Sequence, residues 1–215
     1  MNLQQAILKI FTAEQIAIII GKDSNAYEVM LNSGDEDINQ FILDNIPKPI
    51  SEIKVLFMPD ECASKKEILS DKFYDRLVSY GFKRENITVL NYYDAESFKN
   101  LNIDMLYLSG GNTFSIMHRI RKHGFDKAMT DYIKNGVIYV GGSAGAHIVG
   151  ANLEHVLKYD QNTIGITDFS GLNLFDGILV CHFTNARQAH FEALNAEGKY
   201  KVVALTNDDS LLIEK

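Results

Sequence analysis

The chain has 215 residues, of which 46% are hydrophobic, and a formal net charge of −7. This length and apolar content suffice for a substantial core, and no Pro/Gly/Ser-rich linker interrupts the chain, so we expect a single domain spanning residues 1–215. The negative charge argues against a general nucleic-acid-binding surface, and we expect no nucleic-acid partner.

The sequence also argues against a membrane or secreted protein. The longest apolar stretch, Ile16 to Ile20, is far shorter than the roughly 20 residues of a membrane-spanning helix. Met1 to Gln5 lacks the basic start and long apolar centre of a secretory signal. Cys62 and Cys181 are too few for a disulfide framework. We therefore expect a cytoplasmic protein with reduced thiols and no membrane partner.

Short apolar, β-branched runs recur along the chain and predict strands buried on both faces. In chain order they are Ile16–Ile20, Val55–Met58, Ile87–Leu90, Met105–Leu108, Val137–Val140, Ile178–Val180, Val202–Leu205 and Leu211–Ile213. The region from Gly21 to Pro49 has weaker signals and reads as loops with one helix from Ile38 to Asn45.

Apolar residues at helical spacing predict two helices that end near Gly81 and Gly136. The first set is Ile68, Leu69, Phe73, Leu77 and Tyr80, and the second is Phe125, Ala128, Met129, Tyr132 and Ile133. The alternation of strands and helices predicts an α/β fold with three layers, in which a mostly parallel sheet carries helices on both faces. Functional sites in such folds form at the carboxyl ends of the strands.

A Gly-x-Ser-x-Gly sequence, Gly141 to Gly145, follows the predicted strand Val137–Val140 and precedes a helix-compatible segment. A strand, tight turn and helix of this kind form a nucleophile elbow, which lifts one hydroxyl above the sheet. Small residues flank the serine because the turn brings the strand and helix backbones close together. The pattern makes Ser143 the candidate nucleophile, although an ordinary Gly-rich turn would share it.

A second glycine-rich turn follows the strand Met105–Leu108 and contains Gly110, Gly111, Asn112 and Thr113. Backbone N–H groups in such a turn can point into a site because no Cβ blocks their approach. We expect the N–H groups of Gly111 and Ala144 to form an oxyanion hole. The alternative is an ordinary turn in which Thr113 caps a helix.

One histidine has the position expected of a catalytic base. The six candidates are His118, His123, His147, His155, His182 and His190. His182 ends the strand Ile178–Cys181 and should stand at the same sheet edge as Ser143. His147 lies four residues after Ser143 on the predicted helix, and its side chain is expected to point away from the turn. His118 and His123 fall on or after an amphipathic helix.

The orienting acid is less defined by the sequence. Asp160 lies in a polar loop that could fold back toward His182, and we select it as the third member of a Ser-His-acid triad. Glu154, Asp168 and Asp176 lie in the same interval, and any of these carboxylates could instead be a solvated loop charge or a helix cap.

Three blocks resemble the peptidase E family of aspartyl dipeptidases, which also includes cyanophycinases. They are Leu108–Phe114, Tyr139–Ala146 and His182–Asn185, in the family's order and with comparable gaps. The resemblance covers roughly Val55 to Asn185.

The resemblance implies a fold similar to the class I glutamine amidotransferase domain and a serine peptidase mechanism without metal or cofactor. It places the family's nucleophile on Ser143, its base on His182 and its oxyanion donors on Gly111 and Ala144. The family's acid lies about as far beyond the serine as Asp160. The implied substrate is a short peptide that begins with aspartate.

The chain departs from the family in two loops, Ile20–Ser24 and Asp60–Glu61, where the family carries small or neutral residues. Because this acidity would repel an aspartate side chain, we expect Arg187 to bind the substrate carboxylate and Asp60 to bind its α-amino group. Asn112 is a further candidate substrate-binding residue.

The alternatives are a hydrolase of another amide or ester, such as a cyanophycinase-like isopeptidase, and a binding protein that keeps the elbow without turnover. The expected assembly is a monomer or a homodimer.

Overall fold

In the computed structural model, the described residues are 18–21, 49–60, 63–79, 81–94, 96–108, 110–206 and 211. The strands are β1 (Ile18–Gly21), β2 (Val55–Met58), β3 (Ile87–Val89), β4 (Met105–Leu108), β5 (Ile138–Gly142), β6 (Ile178–Val180) and β7 (Val202–Ala204). The helices are α1 (Lys65–Ile68), α2 (Lys72–Ser79), α3 (Thr113–Lys122), α4 (Phe125–Lys134), α5 (Ala144–His147) and α6 (Gln188–Glu197). Short 3₁₀ helices span Ile50–Glu52, Arg84–Asn86, Glu154–Lys158 and Asn185–Arg187.

Five strands form one parallel sheet in the order β1-β5-β4-β2-β3. Every residue of β2, β4 and β5 is buried, as the continuous apolar runs predict for strands covered on both faces. Leu108 at the end of β4 pairs with Gly141 near the end of β5. The turns that follow these two neighbouring strands therefore start side by side. The predicted α/β fold with a mostly parallel sheet is confirmed.

β6 and β7 form a separate two-stranded parallel sheet, and within the described residues they pair with no strand of the larger sheet. The expectation that His182 and Ser143 stand at the edge of one sheet is therefore wrong, because the two residues follow strands of different sheets. α5 packs against both β5 and β6 and joins the two sheets. Of the last predicted strand, Leu211–Ile213, the structure describes Leu211 alone, as a single β-bridge residue, and residues 212–213 lie outside the described residues.

The helix predicted from Ile68 to Tyr80 is two helices, α1 and α2. The break falls at Ser70, whose hydroxyl donates to the Glu67 carbonyl at 2.7 Å and accepts from the Lys72 N–H at 3.3 Å. Such side-chain bonds to the local backbone compete with a continuous helix. Leu69 consequently lies 65% exposed, not in the core. The predicted helix Ile38–Asn45 lies outside the described residues.

α4 agrees with its prediction, because Phe125, Met129 and Ile133 are buried along one face. None of the helices among the described residues is long and apolar enough to cross a membrane.

Candidate active site

Ser143 lies between β5 and α5 with φ 48° and ψ −107°. A positive φ is unfavourable for a residue with a side chain, and it recurs at sites where the surrounding structure forces one conformation. The strand, tight turn and helix predicted around this serine are all present, although α5 is only four residues long. Ser143 therefore has the backbone geometry of a nucleophile elbow.

The glycines of the motif let the strand and helix come together. A Cβ on Gly141 would lie 2.6 Å from the Gly145 carbonyl oxygen, and one on Gly145 would lie 3.0 Å from the Leu108 carbonyl oxygen. The buried Tyr139 hydroxyl donates to the same Gly145 carbonyl at 2.8 Å. A larger residue at Gly141 would force the turn apart.

The His182 imidazole lies beside the serine hydroxyl. Its Nε2 atom is 2.9 Å from the Ser143 Oγ, a hydrogen-bonding distance in the range expected for a general base and its nucleophile. Both side chains are partly exposed, so a substrate can reach them. His182 has φ 49°, and it is thus a second residue at the site with a left-handed backbone conformation.

Cys181 connects the histidine segment to the elbow. Its Sγ donates to the Ser143 carbonyl oxygen at 3.8 Å, which places the end of β6 directly behind the turn. Burial raises the pKa of the Cys181 thiol to about 12, and the nearby Arg187 guanidinium offsets this only in part. The thiol therefore stays protonated and does not compete with Ser143 as a nucleophile.

The glycine-rich turn after β4 lies against the elbow. A Cβ on Gly110 would be 3.1 Å from the Gly142 carbonyl oxygen and 3.4 Å from the Ser143 Cβ. Gly111 is exposed and has φ 128°, a conformation that favours glycine. Ala144 is the first residue of α5, and the first N–H groups of a helix have no partner within it. Both predicted oxyanion donors therefore lie on elements that adjoin Ser143.

Asn112, not Thr113, caps α3. The Asn112 Oδ1 accepts from the Ser115 N–H at 3.0 Å, and its Nδ2 donates to the Gln161 carbonyl at 3.0 Å. Both ends of the amide form hydrogen bonds within the protein, so Asn112 fixes the start of α3 against the segment that contains Gln161. Its contact with substrate stays a prediction. Thr113 is the first residue of the helix, and its hydroxyl lies 3.2 Å from the His147 Nδ1.

The Asp160 carboxylate contacts the start of α3. Its Oδ2 accepts from the Thr113 N–H at 2.8 Å, a favourable position for an anion at a helix N-terminus. The structure therefore brings Asp160 to the turn that carries Gly111, and its predicted contact with the His182 ring stays a prediction.

The other carboxylates of this interval are exposed. Glu154, Asp168 and Asp176 all lie at the surface, whereas Asp160 is half-buried. The Asp168 carboxylate accepts hydrogen bonds from the Ser170 hydroxyl and N–H, and these bonds, followed by the charge of Arg121 at 3.4 Å, lower the pKa of the carboxyl. Within the described residues, burial favours Asp160 over these three as a catalytic acid.

The two predicted substrate-binding charges occupy different positions. Arg187 follows the histidine segment, donates through Nη1 to the Cys181 carbonyl and stacks on the Tyr159 ring with its Cζ 3.9 Å from the centroid. Asp60 is half-buried two residues after β2, at the same sheet edge as Ser143 but separated from β5 by β4. Their contacts with substrate stay predictions, and Glu61 lies outside the described residues.

His147 is more closely tied to the site than the sequence suggested. It is 3% exposed and contacts Thr113, and its ring centroid lies 5.9 Å from that of His155. Burial, followed by the charges of His155, His182 and Arg187, lowers its pKa well below the usual range. The sequence predicted a side chain directed away from the elbow turn, and the observed contacts are with α3 and His155. The apolar residues that surround His147 in the segment Ala144–Val149 are the sequence signal that indicates its burial.

Residues 29–215 match the model of peptidase family S51. An uncharacterised peptidase of Listeria monocytogenes is 28% identical over 118 residues, covering 51% of this chain and 56% of the relative. Peptidase E of Escherichia coli is 34% identical over 85 residues, covering 40% of this chain and 36% of the relative. The matched segment thus spans less than two thirds of these relatives.

A crystal structure of a candidate peptidase E protein from Listeria monocytogenes superimposes with a TM-score of 0.66 at 18% identity, covering 93% of this chain and 95% of that one. At this identity the likeness shows a shared fold. The family match, which covers most of the chain, agrees with the resemblance drawn from the three sequence blocks. The chain belongs to peptidase family S51.

Proposed function

We propose that the protein is a serine peptidase of the peptidase E type. The observation that carries this proposal is the 2.9 Å contact between the His182 Nε2 and the hydroxyl of a serine on a strained elbow. Ser143 attacks the scissile carbonyl carbon while His182 takes the hydroxyl proton and later gives it to the leaving amine. Water then releases the acyl group by the same route.

The N–H groups of Gly111 and Ala144 stabilise the oxyanion that forms during attack. Donors aimed at this developing charge contribute about 3 to 4 kcal/mol each to transition-state stabilisation in serine peptidases. The closeness of Gly110 to the Ser143 Cβ supports this assignment, because the turn that carries Gly111 lies directly against the elbow.

Asp160 is the proposed acid of the triad. It is half-buried, and the Asp160 carboxylate is an electrostatic neighbour of Cys181, the residue before His182. The acid would hold the imidazole in the tautomer that accepts the serine proton.

The proposed substrates are short peptides, with the aspartyl preference taken from the family resemblance. A panel of Asp-X and Ala-X dipeptides, a β-aspartyl isopeptide and a simple ester tests this assignment, with Ser143→Ala as the control. Cleavage of Asp-X peptides by the wild type, without cleavage by Ser143→Ala, supports the proposal. Preference for the isopeptide or ester favours another hydrolase, and binding without turnover favours a non-catalytic protein.

A further inference from the structure

Arg187 makes two contacts that connect separate segments at the site. Its Nη1 donates to the Cys181 carbonyl, and its guanidinium lies over the ring of Tyr159 with the Cζ 3.9 Å from the centroid. A cation at this distance from an aromatic face is attracted by the negative charge density of the ring face, most strongly where water is excluded. Arg187 thus holds the chain before His182 against the chain before Asp160.

Tyr159 is itself fixed on its other side. Its hydroxyl lies 2.5 Å from the Nδ1 of His190 on α6, and the two rings meet edge to face with centroids 5.3 Å apart. Burial raises the pKa of the Tyr159 phenol and lowers that of His190. Burial therefore favours a neutral phenol that donates to a neutral imidazole.

The segment that begins with Tyr159 also reaches the oxyanion turn. Asp160 accepts from the Thr113 N–H at 2.8 Å, and the Gln161 carbonyl accepts from Asn112 at 3.0 Å. Residues 159–161 therefore bridge the turn after β4 and the segment after β6. These are the two places that carry the proposed oxyanion donor Gly111 and the proposed base.

We propose that Arg187 and Tyr159 are positioning residues, which together hold His182 in register with the oxyanion turn through the bridging segment 159–161. This inference rests on the proposed function. It assigns Arg187 a role inside the protein, in place of the contact with a substrate carboxylate that the acidity of the neighbouring loops led us to expect. A displacement of about 1 Å between catalytic groups can lower a rate by roughly a hundredfold, so the two contacts are expected to affect the reaction strongly.

A fluorophosphonate that carries no carboxylate separates these roles, because its reaction with Ser143 does not involve a substrate-binding cation. We expect Arg187→Met and Tyr159→Leu each to lower the second-order rate constant of this reaction roughly ten- to a hundredfold. Tyr159→Phe keeps the ring under the guanidinium and should stay within about threefold of the wild type. The double variant Arg187→Met/Tyr159→Leu should lose little more than the slower single variant, since the pair acts as a unit.

Arg121→Met is the matched control. The Arg121 guanidinium also donates to backbone carbonyls, those of Asp168 and Ser170, but in a different loop. We expect Arg121→Met to react with the fluorophosphonate at the wild-type rate. Where Arg187→Met fails to fold, Arg187→Lys replaces it, and it should also react slowly because lysine lacks the planar, stacking fork.

The outcomes separate the inference from the function on which it rests. A wild type that does not react with the reagent overturns both. A reactive wild type with equally reactive Arg187→Met and Tyr159→Leu variants overturns the positioning role alone. Unchanged fluorophosphonate rates combined with a raised KM for Asp-X peptides in Arg187→Met would return Arg187 to the substrate pocket.

Discussion

Two residues with side chains, Ser143 and His182, adopt positive φ angles of 48° and 49° and meet through their functional atoms at 2.9 Å. Each conformation costs of order 1 to 3 kcal/mol, so the surrounding contacts must hold both residues in place. Tyr139, Gly145 and Cys181 supply such contacts behind the elbow. The hydroxyl and imidazole of the proposed reacting pair are thus held together in the protein without substrate.

Replacement of either residue should abolish peptide hydrolysis without unfolding the protein. Ser143→Ala and His182→Ala are each expected to lower kcat by roughly 10⁴-fold or more, because members of such a unit depend on one another. Both side chains are partly exposed, so the melting temperature should change little. The double variant should lose little more than either single one, and strictly multiplicative losses would show that the two residues do not cooperate.

The acid is tested by an isosteric change. Asp160→Asn should lower kcat by roughly a hundredfold or more with KM nearly unchanged if the carboxylate orients His182. Glu154→Gln and Asp168→Asn serve as matched controls, because both carboxylates lie on the same stretch of chain but are exposed. Near-normal turnover of Asp160→Asn would limit Asp160 to its bond with Thr113.

At the level of elements, the strands were predictable and the site partly so. Apolar runs in the sequence predicted β2, β4 and β6 with the bounds that the structure shows, and the glycine spacing predicted the position of the elbow. Sequence periodicity could not show the break between α1 and α2, which depends on hydrogen bonds of the Ser70 hydroxyl. Nor could it reveal that α5 is one turn long and buries His147.

The close approach of β5 and α5 makes the elbow sensitive to volume. In Gly141→Ala the new Cβ would meet backbone of Gly145 at 2.6 Å, so the turn must open at a cost of about 1 to 3 kcal/mol. We expect a lower urea midpoint and lower activity. Gly198→Ala is the control, since a Cβ there meets nothing within 4 Å and only its φ of 63° opposes the change. Equal destabilisation by the two variants would contradict tight packing at the elbow.

For the whole molecule, the decisive feature is that two sheets contribute to one site. The larger sheet carries Ser143 and the glycine-rich turn, while His182 follows β6 of the smaller sheet. The sequence placed both residues at strand ends but gave no sign that the strands belong to different sheets, because pairing depends on long-range contacts. α5, packed against β5 and β6, is the element that joins them.

Two buried histidines predict how stability depends on pH. Burial lowers the pKa of His155 from 6.5 to about 4 and lowers that of His147 as well. Below pH 6.5 these histidines bind protons in the unfolded chain but not in the folded protein. The free energy of unfolding is therefore highest above pH 6.5 and decreases as the pH falls toward 4. His155 alone should account for a loss of about 3 kcal/mol over this window.

Urea unfolding at several pH values between 7.5 and 4.5 measures this dependence. His118→Gln, which replaces an exposed histidine, should leave the slope of stability against pH unchanged. His155→Gln should flatten the slope, because Gln has no proton to bind in this range. A stability that is constant across the window would contradict the burial of neutral histidines beneath the site.

The most direct test of the central claim is mass spectrometry of the protein after reaction with a fluorophosphonate. The structure predicts a single adduct on the peptide that contains Ser143, no adduct in Ser143→Ala, and a rate at least about a hundredfold lower in His182→Ala, in line with loss of a general base. An adduct on another residue, or an unchanged rate in His182→Ala, would contradict the assignment of Ser143 and His182 as the reacting pair.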